Sequence, residues 1–269
     1  MIEPRPGELM LPDGARLHYD LAGDPAGEPV VFVHGFSLDR RIWDDQLTAF
    51  GAVHRVVRYD ARGFGRSSLP TGEYAHADDL RALLDHLDLG PVHLVGLSMG
   101  GGIAAGFALA YPDATRSLVL VDAAIPGYRW SPAFGAFLAM LPQHARERGV
   151  AAARELWLAA DLFAPARERP AVAAKLRAIV ADYSGWHWLH RDPERAETPP
   201  ALERIDQVRA PTLLVLGERD LPDFHDCADR IADRLPGPAR VVVANAGHLP
   251  NMEEPARFDE AVLAFLDRL

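Results

Sequence analysis

The sequence predicts an α/β protein: a mostly parallel central sheet flanked by helices, with an inserted helical cap. Three observations predict it. Short apolar runs recur as buried strands and alternate with segments of helical spacing, the pattern of a sheet covered on both faces. The alternation breaks once, between residues 126 and 208, where helical patterns follow one another without a strand. Finally, three residues of catalytic type stand at the carboxyl ends of apolar runs, where ligands bind in open parallel sheets.

Each element follows from local pattern. "GARLHYDLAG" (14 to 23) alternates apolar and polar residues after the turn at Pro12-Asp13-Gly14 and reads as an edge strand. "PVVFVHGF" (29 to 36) and "HRVVRYDARGFGRSS" (54 to 68) each open as a buried strand and end in a polar or glycine-rich turn. Leu80, Leu83, Leu84 and Leu87 have helical spacing within residues 75 to 88. Val92 to Leu97 read as a strand, Ile103 to Ala110 as a helix of small residues, and "RSLVLVDAA" (116 to 124) as the next strand. "APTLLVLGERD" (210 to 220), a helix near 224 to 235, a strand "ARVVVANAGH" (239 to 248) and a helix from Pro255 to Leu269 complete the core. These boundaries predict a core of residues 1–125 and 209–269 and a helical cap of residues 126–208.

The cap carries helical patterns near 133 to 141, 146 to 160 and 170 to 183, and four of the five tryptophans: Trp130, Trp157, Trp186 and Trp188. Both of its ends emerge from the carboxyl edge of the sheet, so it is expected to lie over that edge and roof an apolar pocket. Trp157, Trp186, Trp188 and Leu249 are the candidate substrate-binding residues. Alternate indoles on a helix point about 200° apart, so one of Trp186 and Trp188 is expected to face the pocket and the other to pack within the cap.

Ser98 sits between Gly96 and Gly100 at the joint of a strand and a helix. Glycines there permit a sharp turn that projects the hydroxyl above the sheet; the plain alternative is a serine capping a helix. Its partners favour chemistry. Asp220 follows the strand "TLLVLG" and His248 follows "VVVANAG", which brings Ser, Asp and His to one edge. A serine hydroxyl needs a base to take its proton, histidine supplies one near neutral pH, and a carboxylate on the other nitrogen fixes the tautomer. Asp122 stands at a neighbouring strand end and is the competitor for the acid. The backbone N–H groups of Met99 and Phe36 are the expected oxyanion donors. His34 is expected to anchor the loop that carries Phe36.

Composition excludes several classes. A net charge of −10 without a Lys/Arg cluster argues against nucleic acid. No apolar run is long enough to span a membrane, and the N-terminus lacks a signal-peptide pattern. These features predict a cytoplasmic protein, a monomer or small homo-oligomer. The lone Cys227 forms neither an internal disulfide nor a multi-thiolate zinc site. His187 and His190 stand one helical turn apart without an evident third ligand, so no metal is expected. "ARGFGRS" lacks phosphate-loop spacing and reads as a tight turn. No cofactor is predicted.

The motifs "HGF" (34 to 36), "YDARGFGRSS" (59 to 68), "GLSMGG" (96 to 101), "GERD" (217 to 220) and "NAGHLPNMEEP" (245 to 255) resemble the α/β-hydrolase superfamily along essentially the whole chain. "LDRRIWDDQL", "VVRYDARGFGRSSLPTGEYAHADDLRALLDHL" and the serine segment resemble, more closely, the 3-oxoadipate enol-lactonase group. That resemblance implies a cofactor-free serine hydrolase acting on a small ester or lactone through an acyl-enzyme. "DYSGWHWLHRDPE" (182 to 194) departs from that group in the cap, where the substrate pocket is built. Ser98 argues against haloalkane dehalogenases and epoxide hydrolases, whose nucleophile is aspartate. A C–C bond hydrolase, a cofactor-free haloperoxidase or perhydrolase, and a ligand-binding receptor are the alternatives on the same triad. "HGFSLDRR" stands where the C–C hydrolases carry an "HGxGPG"-like loop.

Overall fold

The computed structural model describes residues 2–269. Among them, eight strands form one sheet: β1 (Arg5–Met10), β2 (Arg16–Gly23), β3 (Glu28–Val33), β4 (His54–Tyr59), β5 (Val92–Leu97), β6 (Thr115–Val121), β7 (Thr212–Gly217) and β8 (Ala239–Val243). Their order is β1-β2-β4-β3-β5-β6-β7-β8. β1 pairs antiparallel with β2, and β2 antiparallel with β4; every pairing from β4 across to β8 is parallel. Every residue of β5 and β7 is buried, as expected of central strands covered on both faces.

The β3–β4 connection carries α1 (Leu47–Gly51), the β4–β5 connection carries α2 (His76–His86), and α3 (Met99–Ala110) joins β5 to β6. Between β6 and β7 the chain makes a helical excursion through α4 (Pro132–Arg148), α5 (Val150–Leu158), α6 (Ala164–Arg167), α7 (Pro170–Asp182), α8 (Trp186–Leu189) and α9 (Ala201–Arg204). α10 (Pro222–Ala232) precedes β8, and α11 (Pro250–Glu253) and α12 (Pro255–Leu266) follow it. The strand order turns at β3, with β4 on one side and β5 on the other. Loops leaving β3 and β5 therefore diverge and open a crevice at the carboxyl edge.

The strands differ most from the sequence pattern at the two edges of the sheet. β1 is the outer strand, so residues 16–23 are second from the edge; Pro6 and Gly7 disguise a mostly exposed segment that only its ladder with β2 makes a strand. β8 stops at Val243, because Asn245 turns the chain with φ 66°.

"DARGFGRSS" is a brace rather than a ligand loop. Asp60 accepts from the backbone N–H groups of Arg40 and Arg66 and pairs with the Arg40 guanidinium at 2.7 Å. Arg40 also pairs with Asp20, tying the loop after β3 to β2 and β4. Burial makes this network costly to break at one end, since a lost partner strands an unpaired charge.

The start of α2 yields a test of stability. His76 is buried, and desolvation pushes its imidazole down to about 3. Folded His76 is therefore neutral where the unfolded chain takes up a proton, below about pH 6.5. Its contribution is complete above that value and is lost as pH falls toward about 3. Relative to a His76→Asn variant, the protein should lose about 1.4 kcal/mol of unfolding free energy per pH unit within that window. Urea melts of the two proteins at stepped pH check it; parallel curves would refute it.

Candidate active site

Ser98 begins a sharp elbow between β5 and α3 with φ 53° and ψ −118°, a conformation disfavoured for residues with a side chain. Its backbone is pinned: the N–H donates to Val121 O, and the carbonyl accepts from Gly101 and Ala124, all within 2.9 Å. The flanking glycines allow close approach. A Cβ on Gly96 would collide with the Gly100 carbonyl, and one on Gly100 with the carbonyl of Val33. Met99 opens α3, so its N–H precedes the helix's own hydrogen-bond ladder and lies at the positive end of the helix dipole.

Asp220 and His248 follow adjacent strands, β7 and β8. Arg219 N–H donates to Ala246 O at 2.7 Å, clasping the loop after β7 to the loop after β8. His248 Nδ1 donates to Asp220 Oδ2 at 2.7 Å, and both residues are buried. Because the carboxylate can only accept, the proton sits on Nδ1 and Nε2 keeps a free lone pair. Asp220 Oδ1 accepts from Leu221 N–H at 2.7 Å. Glu253 accepts from the N–H groups of Gly247 and Leu249 and so fixes the loop on both sides of His248; burial pushes its carboxyl upward. The Phe224 ring lies 4.3 Å from the His248 ring, centroid to centroid.

The loop after β3 supplies Phe36. His34, fully buried, donates from Nδ1 to Gly35 O at 2.8 Å and accepts at Nε2 from Ala61 N–H at 3.0 Å. Both nitrogens are thus occupied by backbone, and burial holds the imidazole below its ordinary range. His34 is an anchor, as expected. Trp157 reaches down from α5 and donates its indole N–H to Ser37 Oγ at 2.6 Å, with Ser37 itself at φ 62°.

Ser98, His248, Phe36 and Met99 line one cavity of about 330 Å³. Trp130, Phe134, Leu138, Trp157, Trp188 and Phe224 contribute apolar wall. Among the described residues, no Asp, Glu, Lys or Arg lines it. Of the four substrate-binding candidates, Trp157 and Trp188 line the cavity and Trp186 and Leu249 do not. Trp186 stacks on His190 at 5.1 Å, and Leu249 is fully buried. His187 does reach the wall. It stacks on Phe64 at 4.4 Å, contacts the Tyr183 hydroxyl at 3.2 Å, and is pushed down to about 4 by burial. A larger hollow of about 460 Å³ adjoins across Met99, Ala124 and Trp130 but includes neither Ser98 nor His248.

Phe134, Leu138, Phe224 and Glu253 were not singled out from sequence, and Trp130 was named only as one of the cap tryptophans. Glu253 carried a signal, a carboxylate five residues beyond the histidine in a tight loop. The others depend on how the excursion folds back. Asp223, near Asp220 in sequence, is occupied elsewhere: it accepts from the N–H and hydroxyl of Ser131 at the start of α4.

A parallel sheet with a serine elbow and a buried His–Asp pair at its carboxyl edge defines a hydrolase architecture. The chain belongs to the alpha/beta hydrolase family, whose profile matches residues 30–261. It is 31% identical to "Putative carbamate hydrolase RutD" of Variovorax paradoxus (strain S110) over 94% of this chain and 97% of that protein. It is 26% identical to 3-oxoadipate enol-lactonase 2 of Acinetobacter baylyi, over 94% and 93% of the two chains, in line with the resemblance read from the motifs. Among solved structures, a thermophilic esterase from Thermogutta terrifontis superposes with a TM-score of 0.78 at 28% identity, covering 98% of each chain. Among the described residues, no helix is long and apolar enough to cross a membrane.

Proposed function

We propose that this chain is a cofactor-free serine hydrolase that cleaves small carboxylic esters or lactones through an acyl-enzyme on Ser98. The observation that carries this reading is His248, its Nδ1–H committed to Asp220 and its Nε2 free, in one cavity with the Ser98 elbow. His248 Nε2 takes the Ser98 proton as Oγ attacks the carbonyl carbon. The oxyanion is held by the N–H groups of Phe36 and Met99. Collapse expels the alkoxide, which receives the proton from His248; for a lactone the alcohol stays tethered. Water, deprotonated by His248, then attacks the acyl carbon and releases the acid and Ser98.

Residues 126–208 serve in this reading as a cap over the sheet edge. A cavity of about 330 Å³ lies at the small end of the range for ligand sites, so compact substrates are expected. Trp188 closes one side. Trp188→Ala should shift preference among p-nitrophenyl esters toward longer acyl chains, whereas Trp186→Ala should leave the chain-length profile unchanged. Identical profiles in all three proteins would show that Trp188 does not bound the acyl site. Trp157 cannot offer its N–H to substrate, because Ser37 already accepts it.

The similarity to a carbamate-hydrolase relative makes carbamates the second class to test. The absence of charged side chains along the cavity, among the described residues, favours neutral esters and lactones over a charged carbamate. A panel of short-chain esters, lactones, a carbamate and a vinylogous diketone tests the reading. Many turnovers of p-nitrophenyl butyrate per chain are expected. A single slow burst would point to a ligand-binding receptor, and preference for the diketone to a C–C hydrolase.

A further inference from the structure

Asp122 directly follows β6 and is fully buried, yet the reaction above gives it no role. Its carboxylate, that of Asp220 and the His248 ring each place a polar atom within 4.8 Å of the others. Two carboxylates therefore share a dry pocket with one imidazole, whose Nδ1 proton is already spent on Asp220. Both cannot ionise side by side at low cost.

Which one keeps the proton follows from their partners. Asp220 accepts from the His248 ring and from Leu221 N–H, two good donors that favour its anion. Asp122 has a single N–H, that of Gly217, shared between its oxygens at 3.1 and 3.2 Å. We propose that Asp122 is a positioning residue: a neutral carboxyl that donates its proton to Asp220 and holds that carboxylate square to His248. This rests on the assignment of Ser98, Asp220 and His248 to ester hydrolysis. The titratable groups facing Asp122 are Asp220, His248 and Glu253; burial and the Asp220 charge raise the proton affinity of Asp122 well above the ordinary carboxylate range.

The Asn variant is a suitable probe. It retains a donor of the same shape, and asparagine tolerates the left-handed backbone that Asp122 adopts at φ 39°. Asp122→Asn should keep kcat/KM for p-nitrophenyl butyrate within about threefold, because one neutral donor replaces another. The acid limb of its pH profile should coincide with that of the unmodified protein. Asp122→Ala removes the donor and should lower kcat by about 10²-fold with little change in KM. An acid limb displaced downward by about one pH unit in Asp122→Asn would overturn the proposal, since it would mean that a negative charge beside His248 had been removed. So would undiminished kcat in Asp122→Ala. The carboxyl ¹³C resonance of Asp122, assigned by its loss in Asp122→Asn, reads the proton without turnover. A protonated shift at pH 7 supports the proposal and an ionised shift overturns it. Failure of the unmodified protein to turn over any ester would instead count against the hydrolase reading.

Discussion

Ser98→Ala is expected to lower ester turnover by about 10⁶-fold, since removing the nucleophile of such a constellation disables the other members with it. The fold should survive. Alanine occupies the elbow with no added bulk, and the hydrogen bonds that pin residue 98 are backbone bonds to Val121, Gly101 and Ala124. Unfolding midpoints of the two proteins should agree closely, which separates loss of chemistry from loss of structure. A fluorophosphonate probe followed by peptide mapping should mark the peptide containing residue 98 in the unmodified protein and nothing in the variant. Labelling of another serine, or an active alanine variant, would remove Ser98 from the mechanism.

Asp220→Asn carries the next largest effect, a fall in kcat of about 10⁴-fold. The amide can offer its N–H to His248 Nδ1, which places the imidazole proton on Nε2 and turns the base toward Ser98 the wrong way round. The clasp between Arg219 and Ala246 involves only backbone and should hold the loops together, so stability should change little. Asp122→Asn made alongside separates the two acids. If that variant is the inactive one and Asp220→Asn is not, the partner of the histidine is Asp122.

The strands that position these groups were legible because their neighbours are apolar on both sides. β5 and β7 are buried along their whole length, and Ser98 and Asp220 follow them within a few residues; β3 and β6 close on apolar runs, whereas His248 follows the half-exposed edge strand β8. In the excursion α5 and α7 lie close to their patterns, at 150–158 and 170–182, whereas α4 runs on past its expected end near 141 to Arg148. What periodicity could not convey is the direction in which that excursion folds back. Trp186 and Trp188 are equivalent by spacing, yet Trp188 packs against Tyr183 and the cavity while Trp186 turns to His190. Phe224 was hidden for a related reason: α10 has an amphipathic pattern, which identifies an inner face but not the ring that meets His248. The pairing of His248 with Asp220 was visible as two residue types at two strand ends. The occupied state of Asp223, and the crowding of Asp122 against Asp220, emerge only from three-dimensional contact.

The bond from the Trp157 indole to Ser37 bears on how far this scaffold can be recombined with its relatives. The excursion between β6 and β7 looks like an interchangeable module, and exchanging it is an obvious route to new substrate ranges. Here that module also anchors the residue next to Phe36. A chimera given a foreign excursion without an indole at this point would leave Ser37, held at φ 62°, without its tie, and the loop behind it freer to relax. Library designs that retain Trp157, or that vary Ser37 together with the transplanted segment, should therefore preserve turnover more often than clean swaps at the two strand ends.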